Sequence, residues 1–80
     1  MKIDVNMTVN GLSNVISLDV DGADTMQLIK ARISQMDPRF DVARMMLTDA
    51  IGGDEYDDTI SVTSAGIKEG EVVNMELRRY

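Results

Sequence analysis

The sequence predicts an α+β domain in which one helix packs against a β-sheet. Residues 2–9 and 14–20 alternate apolar and polar side chains, which is the period of strands with one buried face. Residues 24–36 instead place their apolar side chains three and four positions apart, which is the period of a helix. Residues 71–77 alternate again. One helix of this length is marginal alone in water, so it needs the sheet to cover its apolar side.

The length and composition of the chain favour one small globular unit. Eighty residues can bury one hydrophobic core, so we predict a single domain over residues 1–80. Hydrophobic residues make up 44% and charged residues 28% of the chain, which is not a disordered composition. No apolar run is long enough for a signal peptide or a membrane span. We expect a cytoplasmic protein, with the nucleus as the alternative.

The chain is acidic, with a net charge of −6 at pH 7. Proteins bind phosphate backbones mainly through Lys and Arg side chains that displace counterions, so this charge opposes binding to nucleic acid or to anionic membranes. We therefore expect a protein partner, with no nucleic acid, membrane or small-molecule substrate. In isolation we expect a monomer.

The residues offer little for catalysis. The chain has no Cys and no His, so the usual nucleophile and base pairs are absent, as are disulfides and thiolate metal sites. Four carboxylates fall in a stretch that we predict to be exposed. They are Asp54, Glu55, Asp57 and Asp58. We interpret them as a solvated charge run, and we predict no enzyme activity, no catalytic residue, no metal and no cofactor.

The first two strands are predicted to form a hairpin. The pair Asn10-Gly11 tolerates positive φ and favours a tight reversal, which Leu12 and Ser13 lengthen. The returning strand covers residues 14–20 and directs Val15 to solvent. The apolar residues predicted to face the core are Ile3, Val5, Met7, Val9, Ile16, Leu18 and Val20.

The helix is predicted over residues 24–36. Asp24 or Thr25 caps its first turn, and Pro38 ends it near Met36 because proline disfavours helical geometry in the residue before it. The stripe predicted to be buried contains Met26, Ile29, Ile33 and Met36. The residues expected mostly in water are Gln27, Lys30, Arg32 and Gln35.

The second half of the chain predicts two further strands and an irregular connection. Residues 43–47 form the third strand, with Met45 and Leu47 buried and Met46 exposed. Residues 48–58 form an acidic loop anchored by Ile51 and Tyr56. A brief helix follows over residues 59–65, and the last strand covers residues 71–77.

Several short motifs of the chain occur in a familiar order. They are Ile3 and Val5 followed by Ile16-x-Leu18-x-Val20, then Asp24-Thr25-Met26-x-x-Ile29-Lys30-Ala31-x-Ile33, Arg44-Met45-Met46-Leu47, Asp58-Thr59-Ile60, and Gly66-Ile67-x-x-Gly70-x-x-Val73-x-Met75-x-Leu77-Arg78. In this order and spacing they resemble a ubiquitin-like domain over nearly the whole chain. The resemblance implies a β-grasp fold, in which a mixed sheet of four to five strands packs on one helix.

Two departures from the family bear on function. Conjugated members end in a flexible Gly-Gly tail, whereas this sequence has Arg79-Tyr80 there. Ubiquitin also presents an apolar patch, whose matching positions here are Val9 or Leu12, Met46 and Glu76, so that one apolar member is replaced by a charge. We therefore predict that the chain is not conjugated and binds ubiquitin receptors poorly.

The resemblance implies a non-catalytic protein-interaction module that is not itself conjugated. Two alternatives stay open. One is a conjugated modifier or sulfur carrier whose Gly-Gly tail lies outside this sequence. The other is a β-grasp accessory subunit of a larger assembly.

The partner-binding surface is predicted on the sheet. If the helix covers one face, the outward residues of the third and last strands share the other face, since these strands are neighbours in the β-grasp order. The predicted site residues are Arg44, Met46, Asn74, Glu76 and Arg78. Met and Arg are enriched at protein interfaces. The alternative is that Met46 is a scattered surface apolar group.

Overall fold

The computed structural model describes residues 1–9, 11–49 and 53–78 and has an α+β fold. In these ranges a sheet of four strands accompanies one α-helix, and a fifth strand is not seen. The elements are β1 (Lys2–Val9), β2 (Leu12–Asp19), α1 (Met26–Met36), β3 (Met45–Asp49) and β4 (Val72–Leu77), with a 3₁₀ turn at Val42–Arg44.

The sheet is mixed, and its strand order is β2-β1-β4-β3. β1 pairs antiparallel with β2 and parallel with β4, while β4 pairs antiparallel with β3. The first and last strands of the chain therefore lie side by side in the middle of the sheet, and β2 and β3 form its two edges.

One face of the sheet and one side of α1 enclose the core. The buried apolar side chains are Ile3, Val5, Met7, Leu18, Val20, Met26, Ile29, Ile33, Phe40, Met45, Leu47, Val62, Ile67, Val73 and Met75. Burying each large aliphatic side chain contributes roughly 1.5–3 kcal/mol. The predicted alternation of β1 and β4 is confirmed, and so are the burial of Leu18 and Val20 and the exposure of Val15. Ile16 is half-buried and packs against the core.

The hairpin turn is shorter than predicted. Val9 pairs with Leu12 and Thr8 with Ser13, so only residues 10 and 11 separate the strands. Gly11 has a φ of 79°, which glycine adopts without a steric penalty. A turn of this length lets Leu12 and Ser13 join the ladder, and β2 therefore begins at Leu12. The predicted role of Asn10 lies outside the described residues.

The helix begins after Thr25, whose Oγ1 accepts a hydrogen bond from the Leu28 backbone N–H at 3.3 Å. It ends at Met36, before Asp37 and Pro38, as predicted. Met26, Ile29 and Ile33 are buried, but Met36 is 57% exposed, so its place in the buried stripe is wrong. The turn after the helix brings Phe40 into the core at this end instead.

Lys30 contradicts its predicted exposure. Only 4% of the residue is accessible, and its Nζ donates a hydrogen bond to Oδ1 of Asp58 at 2.6 Å. On a helix Lys30 lies about 40° from Met26, so its stem runs beside the apolar stripe. The carboxylate of Asp58 makes this burial tolerable because it compensates the ammonium group.

The third strand lies two residues later than predicted. Residues 42–44 form a 3₁₀ turn, capped by Asp41, whose carboxylate accepts from the Ala43 N–H at 3.0 Å. β3 therefore starts at Met45. Met45 and Leu47 are buried, as predicted, but Met46 is half-buried rather than exposed.

Residues 59–65 form successive turns, so the predicted brief helix is wrong. Their backbone groups bond to the start of α1 instead, where Met26 N donates to Ile60 O at 3.0 Å and Val62 N donates to Asp24 O at 2.8 Å. Tyr56 packs against the core, as predicted, and Asp54 to Asp58 carry exposed carboxylates. The predicted anchor Ile51 and the ending Arg79-Tyr80 lie outside the described residues.

Candidate partner-binding surface

The open face is the side of the sheet that points away from the buried core. It follows from alternation, because side chains next to a buried strand residue point to the opposite side. The open face consists of Asp4, Asn6, Thr8, Ser13, Val15, Ser17, Met46, Thr48, Val72, Asn74 and Glu76. Most of these side chains are short and uncharged.

Three of the predicted site residues lie close together on this face. Glu76 of β4 is registered between Thr8 of β1 and Met46 of β3. One step along β4, Asn74 is registered opposite Thr48. Met46 is therefore a half-buried apolar side chain that lies beside an exposed carboxylate.

Hydrogen bonds order the middle of the open face. Asn6 Nδ2 donates to Asn74 Oδ1 at 3.3 Å, and Asn74 Nδ2 donates to the carbonyl of Asp49 at 3.2 Å. Ser17 Oγ donates to Asp4 Oδ1 at 2.7 Å. In the described part of the chain, Asn6 Oδ1 is buried without a hydrogen-bond partner. These bonds thus hold Asn6, Asn74, Asp4 and Ser17 in place.

The two predicted arginines are joined to each other. The Arg78 N–H donates to the Arg44 carbonyl at 2.6 Å, and Arg44 Nε donates to the Arg78 carbonyl at 3.1 Å. The Arg78 guanidinium donates to both carboxylate oxygens of Glu55. Its charge is therefore engaged by the acidic loop beyond β3.

Val9 and Leu12 do not join the open face. They have the side-chain direction of Met7 and Leu18, and together with Phe40 and Leu77 they line an apolar groove of about 420 Å³ on the helix side. The match of Val9 or Leu12 to the apolar hairpin member of the ubiquitin patch therefore does not place either residue beside Met46 and Glu76, whose hairpin neighbours are Thr8 and Ser13. Polar groups consequently surround Met46 and Glu76.

A cleft of about 500 Å³ between α1 and the acidic loop was missed by sequence reasoning. It contains two ion pairs, Lys30 with Asp58 and Arg78 with Glu55. These partners are 28 and 23 positions apart in the sequence, so no local pattern joins them. The available signal was the position of Lys30 beside the apolar stripe, which predicts a buried stem in need of a carboxylate.

Two side chains of this cleft have shifted pKa values. Burial raises the pKa of Tyr56, and the negative charges of Asp49 and Glu71 add to the effect. The Thr59 hydroxyl donates to Asp57 and lowers the pKa of that carboxyl, with a further contribution from the Thr59 N–H.

Comparison with known protein families matches no family model, and comparison with curated protein sequences finds no significant match. The family resemblance therefore depends on the motifs and on the element order. Within residues 1–9, 11–49 and 53–78, no helix combines the length and apolar character needed to cross a membrane.

Proposed function

We propose that this chain is a ubiquitin-like protein-interaction module of the β-grasp fold that is neither catalytic nor conjugated. The element order and the mixed sheet with β1 and β4 at its centre support the β-grasp assignment. The observation that carries the functional proposal is the open face, where α1 leaves β3 and β4 uncovered and Met46 lies beside Glu76.

We propose that a protein partner binds at Arg44, Met46, Asn74, Glu76 and Arg78. Met46 supplies the apolar contact, because interface energy concentrates in a few such side chains. A partner surface of mixed charge is favoured by Glu76, by Arg44 before β3, and by Arg78 after β4, whose guanidinium is bonded to Glu55. Glu76 replaces an apolar member of the ubiquitin patch, so a mainly apolar ubiquitin receptor would leave this carboxylate unpaired on binding.

A capture experiment with matched variants tests this surface. The chain is immobilised, incubated with lysate of its source cells, and the retained proteins are quantified by mass spectrometry. Met46→Asp places a carboxylate directly opposite Glu76, and the control Leu28→Asp places the same charge on an exposed apolar residue of α1. Thermal unfolding verifies that both variants are folded.

We expect wild type and Leu28→Asp to retain a lysate protein that Met46→Asp does not retain. If Leu28→Asp alone failed to retain this protein, the binding surface would lie on the helix instead. Equal retention by all three proteins would show that Met46 is a scattered surface apolar residue.

A further inference from the structure

The two edges of the sheet differ in how much of their backbone is covered. At the β3 edge, the Tyr56 N–H donates to the Leu47 carbonyl at 2.8 Å, and Thr48 forms a bridge with Glu55. The loop after β3 therefore occupies part of that edge. At the β2 edge, no backbone hydrogen bond from another segment of the described chain reaches Ser13, Val15 or Ser17.

The hydrogen-bond pattern identifies which backbone groups of β2 face outward. Val20 N donates to Met1 O at 2.7 Å, and the Met1 ammonium donates to Val20 O at 2.8 Å, so these residues exchange bonds across the strands. In an antiparallel pair, bonded and non-bonded residue pairs alternate. Leu18, Ile16 and Asn14 are then the next residues of β2 that bond to β1.

The hydrogen bonds on the other side of β1 support this alternation of bonded and non-bonded pairs. Gly70 N donates to Lys2 O at 2.8 Å, and Asp4 N donates to Glu71 O at 2.9 Å, so the even residues of β1 bond toward β4. Their β2 partners therefore direct N–H and C=O groups away from the sheet. These β2 residues are Ser13, Val15, Ser17 and Asp19.

One of these outward groups already has a partner. Arg32 Nη1 on α1 donates to the Asp19 carbonyl and covers that end of β2. The open part of the edge is therefore centred on Val15, with Ser13 on one side and Ser17 on the other. All three residues are exposed.

β2 also lacks the features that protect edge strands. Such strands are usually blunted by Pro, by Lys, by a bulge or by shortness. β2 has eight residues in uninterrupted register, contains no Pro, Lys or Arg, and has its one charge at Asp19. Leu12 and Val15 are also the most exposed large apolar side chains of the described chain, at 76% and 59%.

We propose that two copies of this chain associate through β2, antiparallel, about a two-fold axis at Val15. Each Val15 then lies opposite its copy, and Ser13 lies opposite Ser17 of the other chain. About six backbone hydrogen bonds join the two strands. This register uses the three residues whose outward groups are open and stops before the carbonyl that Arg32 covers.

A second copy fits this edge because the edge is complementary to itself. The paired segment carries no charge, and the two Asp19 side chains lie at opposite ends of the joined strands. Two-fold symmetry buries one surface of each chain against the same surface of the other. Since both copies are acidic, salt should strengthen the association by screening their net repulsion.

The association leaves β3 and β4 at the far side of each sheet. If the proposed partner-binding surface holds, a dimer would present it twice and could bind a multivalent partner with avidity. The dimer itself does not depend on that function, since it follows from the β2 edge alone. The monomer expected from the sequence stays a prediction and is the competing outcome.

Sedimentation velocity from micromolar to millimolar concentration, at low and moderate salt, tests the dimer. Val15→Lys brings two like charges together at the axis, while Val72→Lys adds the same charge to another exposed valine of the open face. We expect wild type and Val72→Lys to dimerise, with higher salt favouring the dimer, and Val15→Lys to dimerise at least about tenfold more weakly. A wild type that remains monomeric at millimolar concentration, or an equal loss in both variants, would overturn the proposal.

Amide hydrogen exchange identifies the surface used. At low concentration the N–H groups of Ser13, Val15 and Ser17 should exchange faster than those of Asn14 and Ile16, which bond to β1. At high concentration this alternation should disappear. Concentration-dependent protection on β3 with none on β2 would assign the dimer to a different surface and contradict the proposal.

Discussion

The two faces of the sheet are made by the same strands and differ at every second residue. On β1, Val5 is fully buried under the helix, whereas its neighbour Asn6 is half-buried on the open face. The covered face consists of apolar side chains that pack with α1. The open face consists mostly of short polar side chains, and some of them bond to one another, as Asn6 does to Asn74 and Ser17 to Asp4. The covered face therefore determines the fold.

The largest expected difference between the faces is in stability. Ile29→Ala removes a side chain that is 1% exposed and should lower the free energy of unfolding by about 2–5 kcal/mol. The control Leu28→Ala truncates its neighbour on the same helix, which is 45% exposed, and should cost below about 1 kcal/mol. Urea unfolding of both variants measures the difference. Equal midpoints and slopes would contradict the burial of the helix stripe.

The ion pair of Lys30 with Asp58 sharpens the comparison, because it places a charge on the covered side. Asp58→Asn leaves the buried ammonium without its carboxylate and should cost about 1–3 kcal/mol. Lys30→Met removes the charge, keeps the apolar stem and should cost less, because the half-exposed Asp58 returns to water. A double-mutant cycle in the same unfolding assay measures the coupling energy between Lys30 and Asp58. A larger loss in Lys30→Met than in Asp58→Asn would contradict this account, since the Lys30 ammonium would then stabilise the fold through contacts other than Asp58.

The smallest expected effect is the raised pKa of Tyr56, which is measured at alkaline pH. Its pKa is raised in the folded protein by burial, so the folded state holds the phenol proton above the ordinary value of 10.0. Its contribution to stability is present below pH 10 and is lost as the pH rises through the folded pKa. Absorbance titration of a Tyr80→Phe variant isolates Tyr56 and should give a midpoint above that of the unfolded chain. Coincident midpoints would place Tyr56 in water.

Local sequence patterns predicted most of the fold, because the direction of a side chain in a strand alternates from one residue to the next. The buried residues of β1, β3 and β4 were predictable for this reason. The stem of Lys30 also lies beside the apolar stripe, but its partner Asp58 could not be predicted, because Asp58 comes from a distant turn. Met36 was misplaced because periodicity gives the angle around a helix but not where the sheet ends. At this end of the helix, Phe40 rather than Met36 packs in the core.

For the candidate surface, alternation and strand order together predicted that Met46, Asn74 and Glu76 share a face. The direction of the Arg78 guanidinium could not be predicted, because it depends on Glu55 in an irregular loop. The free edge of β2 could not be predicted from the sequence either. The hairpin loop was expected to be longer, and a strand pattern does not show which backbone groups lack a neighbour.

The central claim is that a protein partner binds the open face at β3 and β4, and amide chemical-shift mapping tests it most directly. The isotope-labelled chain is titrated with the purified protein that wild type retains and Met46→Asp loses. We expect the perturbed amides to cluster at Met46, Thr48, Asn74 and Glu76, with α1 unchanged. Perturbations confined to the acidic loop from Asp54 to Asp58, or to the helix, would contradict the claim.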